Sequence, residues 1–364
     1  MKIKSFHSIR SSRKATPNEA FFIVGKTGSI PFADGGPGTG KTTTIQAFAD
    51  QAERWCACLP LSGQAIEDIG GGYSPDKFSG QFMRKLLPEW FHRATTESCV
   101  VFFDELTNVD PTRQAAALNM MANMGGRSWW FAAGNGSESA ADFYEFTPPM
   151  ANRLCHLKWD HDEAGYIDAL CSGGQFTAPK APILPSDWRD GLPQWAPLFG
   201  EFFKSHPGLI QVFPAAESDQ GKAWPSKRSW FSAVTAFAGA SSVDAPMSVF
   251  ADILEGFVGL TAATSFWSFA ETLELPDPEA VLANPSGYKV PKFAHLGVVT
   301  MAAVLAAVKR NLTNERWESL MEVCDVIEPQ KPELHAAFYG ACWGIKPPGY
   351  ATKRLTSPLL ATAN

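Results

Sequence analysis

Residues 35–43 read Gly-Gly-Pro-Gly-Thr-Gly-Lys-Thr-Thr, and few stretches of this length restrict a fold as tightly. Gly35 to Thr42 fit the phosphate-loop pattern G-x-x-x-x-G-K-[ST] without a mismatch. Gly35, Gly36, Gly38 and Gly40 let backbone N–H groups turn inward around an anion, where side chains would block the approach. Pro37 and Thr39 occupy variable positions. Lys41 supplies a point charge for terminal phosphates and Thr42 a hydroxyl for Mg²⁺, and residues 35–43, Thr43 included, are expected to bind the nucleotide. The following helix, over about Thr42–Arg54, aims its positive end at the anion. The strand that must enter the loop is Ile30–Asp34. Pro31 is tolerable there only at the first position, and Asp34 would repel phosphate unless its side chain faces away.

A second motif lies downstream. Cys99-Val100-Val101-Phe102-Phe103-Asp104-Glu105 is an apolar run rich in β-branched and aromatic residues, as a buried parallel strand requires. It ends in two carboxylates, at the strand end where open α/β sheets hold ligands. Asp104 is placed to hold Mg²⁺ through its water shell, and Glu105 to orient and deprotonate a water. A base beside a metal ligand suits hydrolysis better than phosphoryl transfer to a hydroxyl, so a nucleoside triphosphate and Mg²⁺ are the expected ligands; a small-molecule kinase is the weakest option, since it explains neither Asn135 nor the large helical half.

Strand and helix signals alternate over residues 30–160, predicting an α/β doubly wound parallel sheet. Its strands are expected at 30–34, 55–61, 99–103, 128–133 and 154–159, with a helix opened by Asp110 and Pro111 and running to about Met124. Ser62–Gly72 reads as a flexible excursion, and 82–94 as helix or surface loop. Residues 1–29 form a weakly patterned lead-in. After Glu163–Cys171 comes a Pro- and Gly-rich connection over 172–198. Helical patterns then follow from Leu198 onward, giving a helical lid over 161–290 and a helical extension over 291–364 whose last residues, from about Ile345, read as disordered. The apolar stretch Leu296–Val308 is too short to span a bilayer.

A net charge of −6 gives no field for nucleic acid. Seven cysteines, an odd count without framework spacing, favour free thiols and, with the nucleotide site, a cytoplasmic location. Cys56 with Cys58, and Cys155-His156 with His161, lack paired metal-ligand spacing.

With Asp104, Glu105 and Asn135 in view, the chain resembles an AAA+ ATPase. The strand Trp129–Ala133 ends at Gly134-Asn135, and Asn135 falls where that superfamily carries sensor 1, the polar residue that positions water near the γ-phosphate. Ala132-Ala133-Gly134-Asn135, Thr147–Arg153 and the element Glu67-Asp68-Ile69-Gly70-Gly71 look like the MoxR, helix-2-insert branch, in which an insert forms a hairpin. Trp224–Trp230 resembles its sensor 2 segment. The resemblance spans about residues 30–275. It implies that Arg153 is a trans-acting arginine finger, with a surface salt bridge as the ordinary alternative. It implies that Arg228 is a cis sensor 2, with Lys227 as the neighbour that could serve instead. It also implies a ring oligomer, six in the family, remodelling a protein client beside a partner with a von Willebrand factor A domain. Glu67–Tyr73 could face a ring pore or a partner, or be a plain solvent loop. The competing readings are a nucleic-acid motor or loader, and a nucleotide-gated scaffold with little turnover.

Overall fold

The computed structural model describes residues 13–75, 83–125, 127–136, 143–160, 162–174, 180–272, 276–291 and 294–350. Among them are two compact units, one within residues 13–192 and Phe202–Phe269, the other within Pro193–Glu201 and residues 270–350.

The first unit is built on strands β1 (Ile30–Asp34), β2 (Cys56–Pro60), β3 (Gly72–Pro75), β4 (Met83–Leu86), β5 (Val100–Asp104), β6 (Trp129–Gly134) and β7 (Leu154–Lys158). Five of them form a parallel sheet in the order β2-β5-β6-β1-β7. The strand feeding the loop is therefore interior, second from one edge, flanked by the strand that leads to Asn135 and the strand that follows Arg153. Pro31 sits inside β1, opposite Cys155, and not at its first position. The ladder to β6 begins only at Phe32, which leaves one flank of Pro31 outside the hydrogen bonding.

Helices α1 (Glu19–Lys26), α2 (Lys41–Gln51), α3 (Ile66–Gly70), α4 (Glu89–Thr96), α5 (Pro111–Ala122) and α6 (Pro148–Ala151) complete the α/β part. On one face, Val101, Phe103, Trp130 and Ala132 pack with Trp90, Phe91, Ala117 and Met120 from α4 and α5. On the other, Phe131 meets Phe21 at 5.1 Å and Phe48 at 5.7 Å between ring centroids, from α1 and α2. The doubly wound arrangement expected from the alternation is thus present. The lead-in is not featureless: α1 is buried from Glu19 to Gly25. Asp110 caps α5, its carboxylate accepting from the N–H groups of Thr112 and Arg113.

The excursion after β2 is ordered. It forms α3 and then the antiparallel pair β3/β4, with Gly72 opposite Leu86. Gly71 makes the turn at φ 80°, where a Cβ would lie 2.1 Å from the Leu86 carbonyl oxygen, so only glycine fits.

Further helices follow, α7 (Glu163–Cys171), α8 (Leu192–Ser205), α9 (Glu217–Gln220), α10 (Lys227–Ser242), α11 (Met247–Val258) and α12 (Leu260–Thr272). Helix α8 begins six residues before the Leu198 expected from sequence, with Pro193 in its first turn and Pro197 within it. Helix α10 opens with a reciprocal capping box between Ser226 and Ser229, and packs on α11 through Phe237 and Phe250. In the second unit α13 (Pro278–Ala283), α14 (Ala294–Arg310), α15 (Asn314–Ile327) and α16 (Pro332–Gly344) enclose Met301, Val304, Trp317, Met321 and Phe338. Its end, residues 351–364, and His161 lie outside the described residues. No described helix is long and apolar enough to cross a membrane.

Candidate functional site

The site is assembled where β1, β5 and β6 end. Residues 35–40 leave β1 and enter α2 through Gly40, whose φ of 80° and that of Gly38, 73°, belong to the left-handed region that side chains resist. A Cβ on Gly38 would meet nothing within 4 Å, so the loop is an open cradle. Gly40 caps α2 without a side chain, and the first turn of α2 holds no acidic residue. Its N–H groups thus remain available to an anion.

Lys41 is buried. Its ammonium donates to the carbonyls of Gly35 (2.7 Å) and Gly36 (2.9 Å) and to Asn135 Oδ1 (3.3 Å). Burial lowers its pKa, with Asp104 and Asp34 opposing that shift. A cation held by neutral oxygens inside an open glycine loop fits a polyphosphate. Thr42 donates its hydroxyl to Asp104 Oδ2 at 2.5 Å, so the two residues read as Mg²⁺ ligands are brought together. Thr43 is on the exposed face of α2.

Asp104 closes β5, and its other oxygen accepts from the Glu105 N–H at 2.9 Å. Glu105 adopts φ 58°, a conformation that costs a non-glycine residue about 1 kcal/mol or more. The twist aims its carboxylate across to the end of β2, where Ser62 donates to Oε2. Asn135 follows β6 directly, and its contact with Lys41 ties it to the loop. The structure thus joins Lys41 to Asn135 and Thr42 to Asp104, and sets Glu105 beside Asp104 with its carboxylate on Ser62.

Three further residues carried no sequence signal. Ser62 holds the Glu105 carboxylate. Trp159 donates its indole N–H to the Thr39 carbonyl at 3.1 Å and presses on Gly35, where a Cβ would lie 2.8 Å from its own. Lys158 pairs with Asp34, its register partner on β7. That pair resolves the oddity of an acidic residue before the loop: Asp34 is held by a cation to the side. Metal readings of the cysteines find no support among the described residues, where no group of three or more His, Cys, Asp or Glu could hold an ion. Cys155 is buried, its thiol pushed up by desolvation, and donates to the Ile253 carbonyl.

Arg153 and Arg228 lie elsewhere. Arg153 precedes β7, whose first residue Leu154 pairs with Ile30, whereas the loop leaves from Asp34 opposite Lys158. The five residues of β1 separate the two ends by about 13 Å at ~3.3 Å per residue. Arg228 is with Arg153. Ser226, the cap of its helix, donates to Asn152 Oδ1 at 2.8 Å, and Asn152 donates to the Trp224 carbonyl at 3.3 Å. The Arg153 pKa is lowered, first by burial and then by the Arg228 charge. Arg153 donates to the Pro149 carbonyl at 3.2 Å. The sequence reading put Arg228 at its own subunit's phosphates; in the structure the start of its helix is bonded through Ser226 to Asn152, just before β7.

Residues 34–138 match the model of the ATPase family associated with various cellular activities (AAA). No curated protein matches the chain. Among solved structures, a presumed ATPase of Cytophaga hutchinsonii ATCC 33406 is 11% identical, over 74% of this chain and 93% of that one, with a TM-score of 0.41. The matched segment runs from the end of β1 past Asn135 and takes in the phosphate loop, the paired carboxylates and the asparagine at the end of β6, so the chain carries an AAA ATPase domain within a P-loop core.

Proposed function

We propose that this chain is a Mg²⁺-dependent ATP hydrolase of the MoxR type that works as a ring and remodels a protein client. One observation carries the hydrolase reading: Lys41, Thr42, Asp104, Glu105 and Asn135 gather where β1, β5 and β6 end, around an open glycine loop. Lys41 and the N–H groups at the start of α2 would hold the phosphates, and Thr42 and Asp104 the metal ion. Bound Mg²⁺ supplies charge neutralisation on the phosphoryl oxygens. Glu105 takes a proton from the attacking water, and Asn135 orients that water.

The separation of Arg153 and Arg228 from their own loop supports the ring. Two cations with no carboxylate partner among the described contacts repel one another unless an anion joins them, and in a head-to-tail assembly the neighbour's phosphates can supply it. The β3/β4 hairpin between α3 and α4 supports the helix-2-insert assignment. A partner with a von Willebrand factor A domain belongs to this reading by resemblance.

A second reading, a nucleotide-gated scaffold with little turnover, is favoured by the Ser62 hydroxyl that occupies the Glu105 carboxylate. ATPase rate against protein concentration, with mass measured in ATP and Mg²⁺, tests both. Turnover per subunit that rises with assembly and is abolished in Glu105→Gln supports the ring hydrolase. Equal, negligible rates in wild type and Glu105→Gln leave the scaffold.

A further inference from the structure

We propose that Thr107 is a positioning residue that locks the segment carrying Glu105 to the segment carrying Asn135, so that base and water-orienting amide act as one rigid body. The role rests on the hydrolase reading above. Thr107 lies in the 3-10 turn Leu106–Asn108 that follows Glu105, and the Asn108 N–H closes that turn on the Glu105 carbonyl at 2.9 Å. Its side chain is buried. The hydroxyl accepts from the Asn135 N–H at 3.0 Å and stands 3.0 Å from the Asn135 carbonyl, to which it donates. It also lies 3.2 Å from Asn108 Oδ1. A hydroxyl has one proton and two lone pairs, so a single group can hold both backbone atoms of Asn135.

The fit is close on every side. A Cβ on Gly134 would lie 2.5 Å from the Thr107 oxygen, so glycine before Asn135 is what admits the hydroxyl. The main chain of Thr107 is engaged as well: its carbonyl accepts from the Tyr144 N–H at 2.8 Å. Thr107 thereby grips the chain where it leaves β6 and again where it returns. No other side chain is hydrogen-bonded to the main chain of Asn135 among the described contacts. Its own side chain is then free to point at Lys41.

Threonine and valine are nearly the same shape, so Thr107→Val removes the hydroxyl with little change in packing and leaves a buried N–H and C=O unpaired. Thr107→Ser restores the hydroxyl and loses a methyl. Two readouts are needed: steady-state ATP hydrolysis, and exchange of the Asn135 amide hydrogen without nucleotide. Because a 1 Å misplacement costs about a hundredfold in rate, Thr107→Val should lower kcat by about 10- to 100-fold and leave KM within about threefold. It should speed Asn135 exchange, and Thr107→Ser should recover most of both. Wild-type kcat in Thr107→Val, a loss confined to KM, or a Ser variant as impaired as Val would overturn the proposal. So would fast Asn135 exchange in the wild type, a test that stands even where Thr107→Val does not fold. A wild type without any ATPase activity defeats the hydrolase reading and with it the catalytic role, and the exchange data then report only whether the hydroxyl clamps the turn.

Discussion

If Arg228 serves the neighbour's nucleotide, its loss can be rescued by mixing. Take one variant that cannot hold phosphate, Lys41→Met, and a second without the edge cation, Arg228→Ala. Each alone should be nearly inactive: an arginine aimed at the transferring phosphoryl group is worth about a thousandfold or more. The shared-site reading then gives their mixture a definite outcome. Arg153 precedes the start of β7, one strand length, about 13 Å, from where the loop leaves β1, and the start of α10 is bonded to its neighbour Asn152. A catalytic site is therefore intact when the loop comes from an Arg228→Ala subunit and the arginine from a Lys41→Met neighbour. In a randomly mixed one-to-one ring this holds at about a quarter of the interfaces, the product of two chances of one half. Coupled-enzyme ATPase assays after subunit exchange should reach about a quarter of wild-type turnover per site, and Arg153→Ala in place of Arg228→Ala should give the same recovery. A cis arginine gives no recovery at any ratio, because every subunit then lacks one of the two parts. That result, or near-wild-type activity of Arg228→Ala alone, would refute the shared-site geometry.

Two further outcomes follow from contacts described above. Removing the hydroxyl that holds Glu105, in Ser62→Ala, should raise basal hydrolysis by about 2- to 10-fold, the rate equivalent of one hydrogen bond worth roughly 0.5–1.5 kcal/mol; an unchanged or lower rate would mean that Ser62 does not restrain the base. Glu19, buried at the start of α1, pairs with Arg13. Burial alone would push its carboxyl up, but Arg13 and the Thr16 N–H outweigh that and hold it below the usual range. A lowered folded-state pKa gives stability that is present above the unfolded value of 4.5 and is lost as pH falls through the folded value. Arg13→Ala should therefore destabilise by about 2 kcal/mol at pH 7, less than a fully buried pair because Arg13 is partly exposed. The difference in denaturant midpoint from wild type should shrink as pH falls through the folded-state value, and a difference independent of pH would contradict the pairing.

The parts of the site legible in sequence were those whose chemistry imposes a pattern. A loop that must wrap phosphate needs glycines at fixed offsets before a lysine, and a buried parallel strand needs an unbroken apolar run before its acidic end. Both constraints act within a few residues, so the sheet and Lys41, Thr42, Asp104 and Glu105 could be placed together. Asn135 needed only the order of strands. What stayed hidden depends on tertiary contact. Helix α1 is buried nearly all round and so lacks the polar face that gives a helix its period. The strands β3 and β4 are short and largely exposed, without alternation. The position of Arg228 follows from Ser226 meeting Asn152, residues far apart in the chain. Thr107, Trp159 and Ser62 are lone polar or aromatic residues whose roles consist entirely of what they touch.

The left-handed backbone at Glu105 also bears on how this protein can be improved. A glycine there would accept the same φ without the steric cost, offsetting its own loss of unfolded-state freedom. On the hydrolase reading, selection for heat resistance alone would thus be drawn toward a substitution that relaxes the chain and removes the proposed base. If Glu105 is the base, resilience and turnover compete for this one position, and a programme that ranks variants by melting temperature would favour inactive ones unless hydrolysis is scored alongside.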